Sequence, residues 1–411
     1  MATTVHQLRS AQNSKSGPPR NVAVFIDGTW NRAGTRNPTN VLKLYAATPK
    51  GIFGGREQRT RYFSGVGTKP KFDVNALDDA DYNVELSRYF RVESSPFISE
   101  EDQALIGGAT GMGTAARIRA AYHYVCKHFR PRSSDQVFLF GFSRGAFAAR
   151  SLAGFMGRVG LLLANKLEHV ERAYAIYERG EDAAQTELGD FLYELTGRRF
   201  VTPDDDFYVP MHFLGVWDTV ASLGLPSRLQ WFTAPFTEYH QVECPPSVMT
   251  ARHALALHEL RGAFEPLLWE PGTHSDLQQH WFAGAHADVG GGYKAGEDGL
   301  SDIALRWMAT EAEKAGLVVD KAATWWTKGS GRLEVHHEIR NLFLATWPTP
   351  RSWLFDSEIQ KSRSHLIHES AWDYLKAVGR AYKFKLPHVN SALRRVDAEA
   401  FRKAIYLLLR G

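Results

Sequence analysis

Short apolar runs broken by glycine-bearing turns, with helical periodicity between them, set the plan of this chain. Order begins at Asn21, where "NVAVFIDGTWN" gives an apolar strand that ends in the turn Asp27-Gly28. "RYFSGVGT", Arg61 to Thr68, reads as a second strand and a glycine turn. In "GGATGMGTAARIRAAYHYVCKHF" a glycine-rich loop leads into a helix, because Ile118, Ala121, Tyr122 and Val125 recur at helical spacing. Val137 to Phe140 is a buried strand and Gly145 to Val159 a helix. "YVPMHFLGVWDTV" supplies a further strand ending at Asp218, and "WFAGAHADVGGGY" another ending at His286.

Strands alternating with helices imply right-handed crossovers and a mostly parallel sheet with helices on both faces, the α/β class. Residues 21–315 form the core of that fold. Polar, irregular or aromatic stretches near 69–101, 169–206 and 226–248 read as insertions, the last two over the sheet edge where such folds place their chemistry. Trp231, Phe232 and Phe236 in the last of these are candidate substrate-binding residues, since aromatics clustered in a polar setting mark an apolar binding surface as well as a core. The first 20 residues read as a disordered leader, and 316–411, where the pattern weakens, as a helical C-terminal extension packed on the core.

Composition narrows the function. At 411 residues the chain exceeds the roughly 250 to 300 residues at which one core stops growing, which implies either one domain with large insertions or two domains. A net charge of +4 gives no case for nucleic acid, although a mildly basic surface suits peripheral contact with an anionic membrane. The two cysteines, Cys126 and Cys244, supply neither a disulfide framework nor metal-ligand spacing. The leader has no apolar signal segment and no run approaches the length of a membrane span, so the expectation is a protein made in the cytoplasm and, if exported, carried by a signal-independent machine.

The candidate chemistry centres on "FGFSRGAFAAR". Gly141-Phe142-Ser143-Arg144-Gly145 lies where a strand becomes a helix, the context of a nucleophile elbow that lifts a serine hydroxyl to the sheet edge. Serine acyl transfer also needs a base, an orienting carboxylate and oxyanion donors. His286 is the base by position, and Asp218 the acid at a strand end between serine and histidine, the chain order of α/β-hydrolases. Asp288 is the rival acid, or a residue that ties down backbone amides in its own loop. The oxyanion donors are the amides of Arg144 and of Gly28 or Thr29. "GGATGMG" lacks the Lys-Ser/Thr of a phosphate-binding P-loop.

Taken in order, "FIDGTWN" with "NPTNV", "GGATGMG…IRAAYHYV", "FGFSRGAFAAR", "FLGVWDTVAS", "RHALALHELRGAF" and "WFAGAHADVGGGY" resemble the α/β-hydrolase family that includes the type VI secretion phospholipase effectors of the Tle class, from about Asn21 to about Thr310. The resemblance implies an α/β-hydrolase fold and a lipolytic serine enzyme, with Ser143, Asp218 and His286 on the family's triad positions. It implies no cofactor and no metal, a phospholipid or other ester as substrate and, for a secreted effector, an immunity protein as partner. Where family members usually have aspartate in "ALALDE-x-R" this chain has His258, which puts an ion pair to Arg261 in question. Three alternatives stay open: a soluble esterase on a small or carbohydrate ester, a metal-dependent phosphoesterase using Asp27, Asp218 and Asp288, and an inactive binding module on a hydrolase scaffold.

Overall fold

The structure, a computed structural model, describes residues 17–65 apart from 30 and 32–35, 112–197 apart from 132 and 180, 208–220, 243–322 apart from 260, 262, 263, 271–273 and 275, and 335–336 and 365–371. Among the described residues eight strands form one sheet: β1 (Arg20–Ile26), β2 (Gly51–Phe53), β3 (Arg56–Phe63), β4 (Gln136–Phe142), β5 (Met211–Trp217), β6 (Ala251–Ala256), β7 (Leu277–Phe282) and β8 (His365–Ile367). Their order is β2-β3-β1-β4-β5-β6-β7-β8, and of these strands only β2 runs antiparallel to its neighbour. The fold is α/β and of the α/β-hydrolase type, as the strand and helix alternation implies.

Continuous apolar strands such as "VAVFI" and "VFLF" suit a sheet covered on both sides, since each residue meets a core whichever way it points. Val22, Val24 and Ile26 face one core with Val137 and Leu139, while Ala23 and Phe25 face the other with Phe138 and Phe140. On that second face an aromatic ridge crosses the strands: Phe25 stacks on Phe140 at 4.9 Å, and Phe140 meets Phe213 at 5.5 Å.

The first face is covered by α2 (Met112–His128) and α3 (Arg144–Val159), the second by α1 (Asn40–Ala46) and α7 (Gly299–Lys314). Ile118, Ala121, Tyr122 and Val125 of α2 are buried, as their spacing requires. In the 169–206 segment, α4 (Val170–Glu178) and α5 (Glu181–Thr196) form a helical pair. Its apolar residues Val170, Ala173, Tyr174 and Tyr177 join the first-face core, with Phe155 of α3 between Tyr174 and Tyr177 at 5.3 and 5.2 Å. This pair therefore layers onto a face of the sheet rather than over its reactive edge, because an apolar helical stripe is best buried against other helices.

Three strands, the short β2 among them, lack a sequence signal. β6 carries Arg252 and His253 inside an apolar run, and burial is possible because Arg252 pairs with Glu311 at 2.6 Å and Asp276 at 2.8 Å. β8 belongs to the segment expected to be a helical extension and instead adds a parallel strand to β7. A three-residue strand is too short to show a period, and its role is to cover the outer edge of β7. Among the described residues no helix is long and apolar enough to cross a membrane.

Candidate active site

The strand-to-helix turn between β4 and α3 is tight. Ser143 has φ 57° and ψ −124°, a strained geometry for a residue with a side chain. A methyl group on Gly141 would fall 2.3 Å from the Gly145 carbonyl oxygen, and one on Gly145 would fall 2.2 Å from that of Ile26. Both flanking positions must therefore be glycine for the serine to stand where it does. The turn is tied to the next strand by Ser143 N–H, which donates to Trp217 O at 3.0 Å.

Asp218 follows Trp217 at the end of β5. Its φ is 38°, and Ser143 and Asp218 are the two non-glycine residues of positive φ among the described residues. Adjacent strands thus each end in one strained polar residue. Asp218 is fully enclosed, with Oδ1 accepting from Ala256 N–H at 2.8 Å and Oδ2 lying 2.6 Å from His286 Nδ1. An ionised carboxylate can only accept, so Nδ1 is the donating nitrogen of this pair and Nε2 is the ring nitrogen not engaged by Asp218.

His286 opens the short helix α6 (His286–Gly290) rather than ending a strand, because β7 stops at Phe282. Its ring lies 4.6 Å from Phe142, the residue before Ser143, and edge-on to Phe264 at 4.8 Å. Its backbone N–H donates to Glu259 Oε2 at 3.2 Å. No hydrogen bond links Ser143 Oγ to His286 among the described residues. Such bonds are often long before substrate arrives.

Glu259 also answers the question raised by His258. Arg261 donates to Glu259 at 2.8 Å and stacks over Phe264 at 3.8 Å, so an ion pair forms with the neighbouring residue of the motif. His258 instead braces the end of the β7 turn. Its Nδ1 accepts from Gly284 N–H at 2.8 Å, and its own backbone N–H donates to Gly284 O at 3.0 Å. The sequence "HE-x-R" contained this answer, since a glutamate two residues before an arginine can reach it from a loop.

Asp288 does not meet His286. Its Oδ2 accepts the amides of Ala285 and His336, each at 2.9 Å, and its Oδ1 accepts from His336 Nδ1 at 2.6 Å. Burial holds its carboxyl above the ordinary range, against these hydrogen bonds. His336 stacks on Tyr293 at 3.8 Å and was not foreseen from sequence, where one histidine outside any motif gives no signal.

Asp27, at the end of β1, accepts from Tyr62 Oη at 2.6 Å, Thr39 Oγ1 at 2.8 Å and Gly28 N–H at 2.7 Å. Burial raises its pKa to about 6 despite these donors. Asp27, Asp218 and Asp288 are thus committed to three different sets of partners, and no cluster able to hold a metal ion forms among the described residues. The "NPTNV" motif is explained by the same contacts: Thr39 binds Asp27, and Asn40 donates to Val289 O and Ser301 O at 2.8 Å.

Gly28 packs on the elbow, where a methyl group would come within 3.1 Å of Ser143 Cβ and of Phe142. Its amide is taken by Asp27, whereas the Thr29 hydroxyl is enclosed with no partner among the described residues. Arg144 is buried too, with Nε and Nη2 lacking an acceptor among the described residues. Trp231, Phe232 and Phe236 lie outside the described residues.

Comparison with known proteins places the chain in a family. The family described as the type VI secretion phospholipase effector Tle1-like catalytic domain matches residues 20–311. The chain is 32% identical over 265 residues, 64% of its length, to the uncharacterized protein YEL023C of Saccharomyces cerevisiae, of which it spans only 34%. Among solved structures it is similar to an uncharacterized protein from Pseudomonas aeruginosa at 19% identity and a TM-score of 0.41, covering 99% of this chain and 64% of that one. It is also similar to the Tle1 effector bound to the VgrG spike of the type VI secretion system, at 14% identity and a TM-score of 0.40, covering 95% of this chain and 84% of that one. With the family match extending across seven of the eight described strands, the elbow and the His286 turn, the chain belongs to the family of Tle1-like phospholipase effector catalytic domains.

Proposed function

We propose that this protein is a serine hydrolase that cleaves carboxylic esters, with the acyl ester of a phospholipid as its substrate. The observation that carries the reading is the 2.6 Å contact of His286 Nδ1 with enclosed Asp218, in a site whose serine stands at a strained turn between two obligatory glycines. Ser143 Oγ attacks the acyl carbonyl while its proton passes to His286 Nε2. The ester C–O bond then breaks as the leaving alcohol takes that proton. Water repeats the sequence on the acyl-enzyme, releasing the fatty acid and restoring Ser143. Asp218 holds the imidazole in the tautomer that can accept the proton and stabilises the imidazolium that results.

The oxyanion would be received by the Arg144 amide, in the unsatisfied first turn of α3, and by that of Thr29, since the Gly28 amide is already bonded to Asp27. Family membership supports lipid as the substrate class and carriage by a type VI apparatus, with an immunity protein as the partner this would require. The test is incubation of the full chain with mixed phospholipid vesicles and mass spectrometry of the products, beside labelling by a fluorophosphonate probe. Free fatty acid and lysophospholipid, lost in Ser143→Ala together with the label, are the expected result. Water-soluble esters hydrolysed without any phospholipid cleavage would point to the soluble esterase. Full activity in Ser143→Ala would sink the reading.

A further inference from the structure

Arg144 is held against the loop that leaves β1. The residue before it packs on Gly28, and a methyl group on Gly145 after it would fall 2.5 Å from the Asp27 carbonyl oxygen. It is also the first residue of a 16-residue helix. Helical side chains lean back toward the N-terminus of their helix, which for Arg144 is the end of α3 that follows Ser143.

Two of its three guanidinium nitrogens lack an acceptor among the described residues. Arg144 is 5% exposed, and its Nε and Nη2 are enclosed without a hydrogen-bond partner. Two other enclosed arginines show the usual solution to this problem. Arg150 donates to the carbonyls of Leu267 and Leu268 and lies over Trp269, and Arg252 pairs with Glu311 and Asp276. For Arg144 no carboxylate among the described residues offsets burial, which brings its pKa down to about 9. A buried cation left in this way is costly unless something else supplies the negative charge.

The polar groups of the adjoining loop and helix end are donors. The Thr29 hydroxyl, next along the loop from Gly28, is enclosed with no partner among the described residues, and the first amides of α3 point out of the same helix end. A neutral ester needs only the two oxyanion amides and leaves the guanidinium unsatisfied. A phosphodiester would take its planar fork on two oxygens. In a glycerophospholipid the phosphate and the acyl carbonyl are separated by the glycerol unit, a distance comparable to an arginine side chain.

We infer that the Arg144 guanidinium, with the Thr29 hydroxyl, binds the phosphodiester of a glycerophospholipid whose acyl ester lies over Ser143, so that the site selects phosphate-bearing esters over neutral ones. This rests on the ester-hydrolase reading above. Its test uses a matched pair of substrates, dihexanoylphosphatidylcholine below its micellar concentration and dihexanoylglycerol, which carry the same esters with and without the phosphate. The quantity read is the ratio of kcat/KM on the two. Wild type should favour the phospholipid, and Arg144→Met should lower that ratio about tenfold or more, the usual size of a lost hydrogen bond to a charged group. Arg144→Lys, which keeps the charge and loses the fork, should fall between them.

A second arm needs no turnover. Calorimetric binding of the dihexyl diether analogue of phosphatidylcholine to Ser143→Ala should weaken about tenfold when Arg144→Met is added. Inorganic phosphate competes in the same titration. An unchanged ratio and unchanged diether binding in folded Arg144→Met overturn the proposal while leaving ester hydrolysis standing. Phosphate binding that depends on Arg144 without any change in the ratio also overturns it, in favour of a free anion as effector. Loss of hydrolysis on both substrates by wild type, with diether binding still dependent on Arg144, would instead overturn the hydrolase reading and keep the phosphodiester site.

Discussion

Asp288, two residues beyond His286, gives its carboxylate to His336 at 2.6 Å, while Asp218, 68 residues before His286, gives its own to the His286 ring at the same distance. The nearer carboxylate in sequence is therefore not the one that faces the candidate base. Two histidine–carboxylate pairs flank one turn, and they are expected to respond differently to the same substitution.

Asp218→Asn should keep the fold and lower turnover on the order of 10⁴-fold, the precedent for an amide that holds the imidazole in the wrong tautomer. Asp288→Asn should cost far less, since it changes the hold on Ala285 N–H and His336 rather than on the His286 ring. Ester hydrolysis measured on both variants, with melting temperatures as the control, checks this. A severe loss in Asp288→Asn beside near-normal Asp218→Asn would reverse the assignment.

Gly28→Val should lower turnover in a folded protein. Its first methyl carbon would sit 3.1 Å from Ser143 Cβ and from Phe142, so either the loop or the elbow must shift. Loss of one oxyanion donor costs about 3 to 4 kcal/mol of transition-state stabilisation, or roughly 10² to 10³ in rate. Unchanged turnover would remove the Gly28–Thr29 loop from the reaction.

Asp27 predicts a pH dependence of stability. Burial raises its folded pKa to about 6 from the ordinary 3.8. Below about pH 4 the carboxyl is protonated in both folded and unfolded chains and contributes nothing. Between about pH 4 and 6 the unfolded chain ionises first, so stability falls as pH rises, by on the order of 3 kcal/mol in total. Asp27→Asn should flatten this component. Melting temperature from pH 4 to 7 for the two proteins, compared as a difference, shows whether the wild type loses stability with rising pH.

Phe140→Ala should destabilise by about 3 to 5 kcal/mol, because the ring is fully buried between Phe25 and Phe213 and the rigid sheet cannot close the cavity. Urea unfolding followed by tryptophan fluorescence checks it. A loss below about 1 kcal/mol would mean that this face repacks.

Several features follow from sequence alone because their causes are local. A run such as "VFLF" must be buried on both faces, Ile118, Ala121, Tyr122 and Val125 must face one way, and Gly141 is imposed by contact with Gly145 within a single turn, whereas Gly145 itself is held by the Ile26 and Asp27 carbonyls of a distant strand and its loop. The order serine, acid, histidine is likewise a property of the chain. Other features depend on long-range contact. β6 reads poorly because Arg252 is tolerated inside a sheet only when Glu311, 59 residues away, reaches it. The pairing of His286 with Asp218 in preference to Asp288 is set by where β5 ends relative to α6, a distance that no spacing in sequence encodes. The Gly28 amide is consumed by Asp27, and Arg144 Nε and Nη2 are left without an acceptor among the described residues. Hydrogen bonding and burial are properties of neighbours in space, so these could be decided only once the tertiary structure had fixed who the neighbours are.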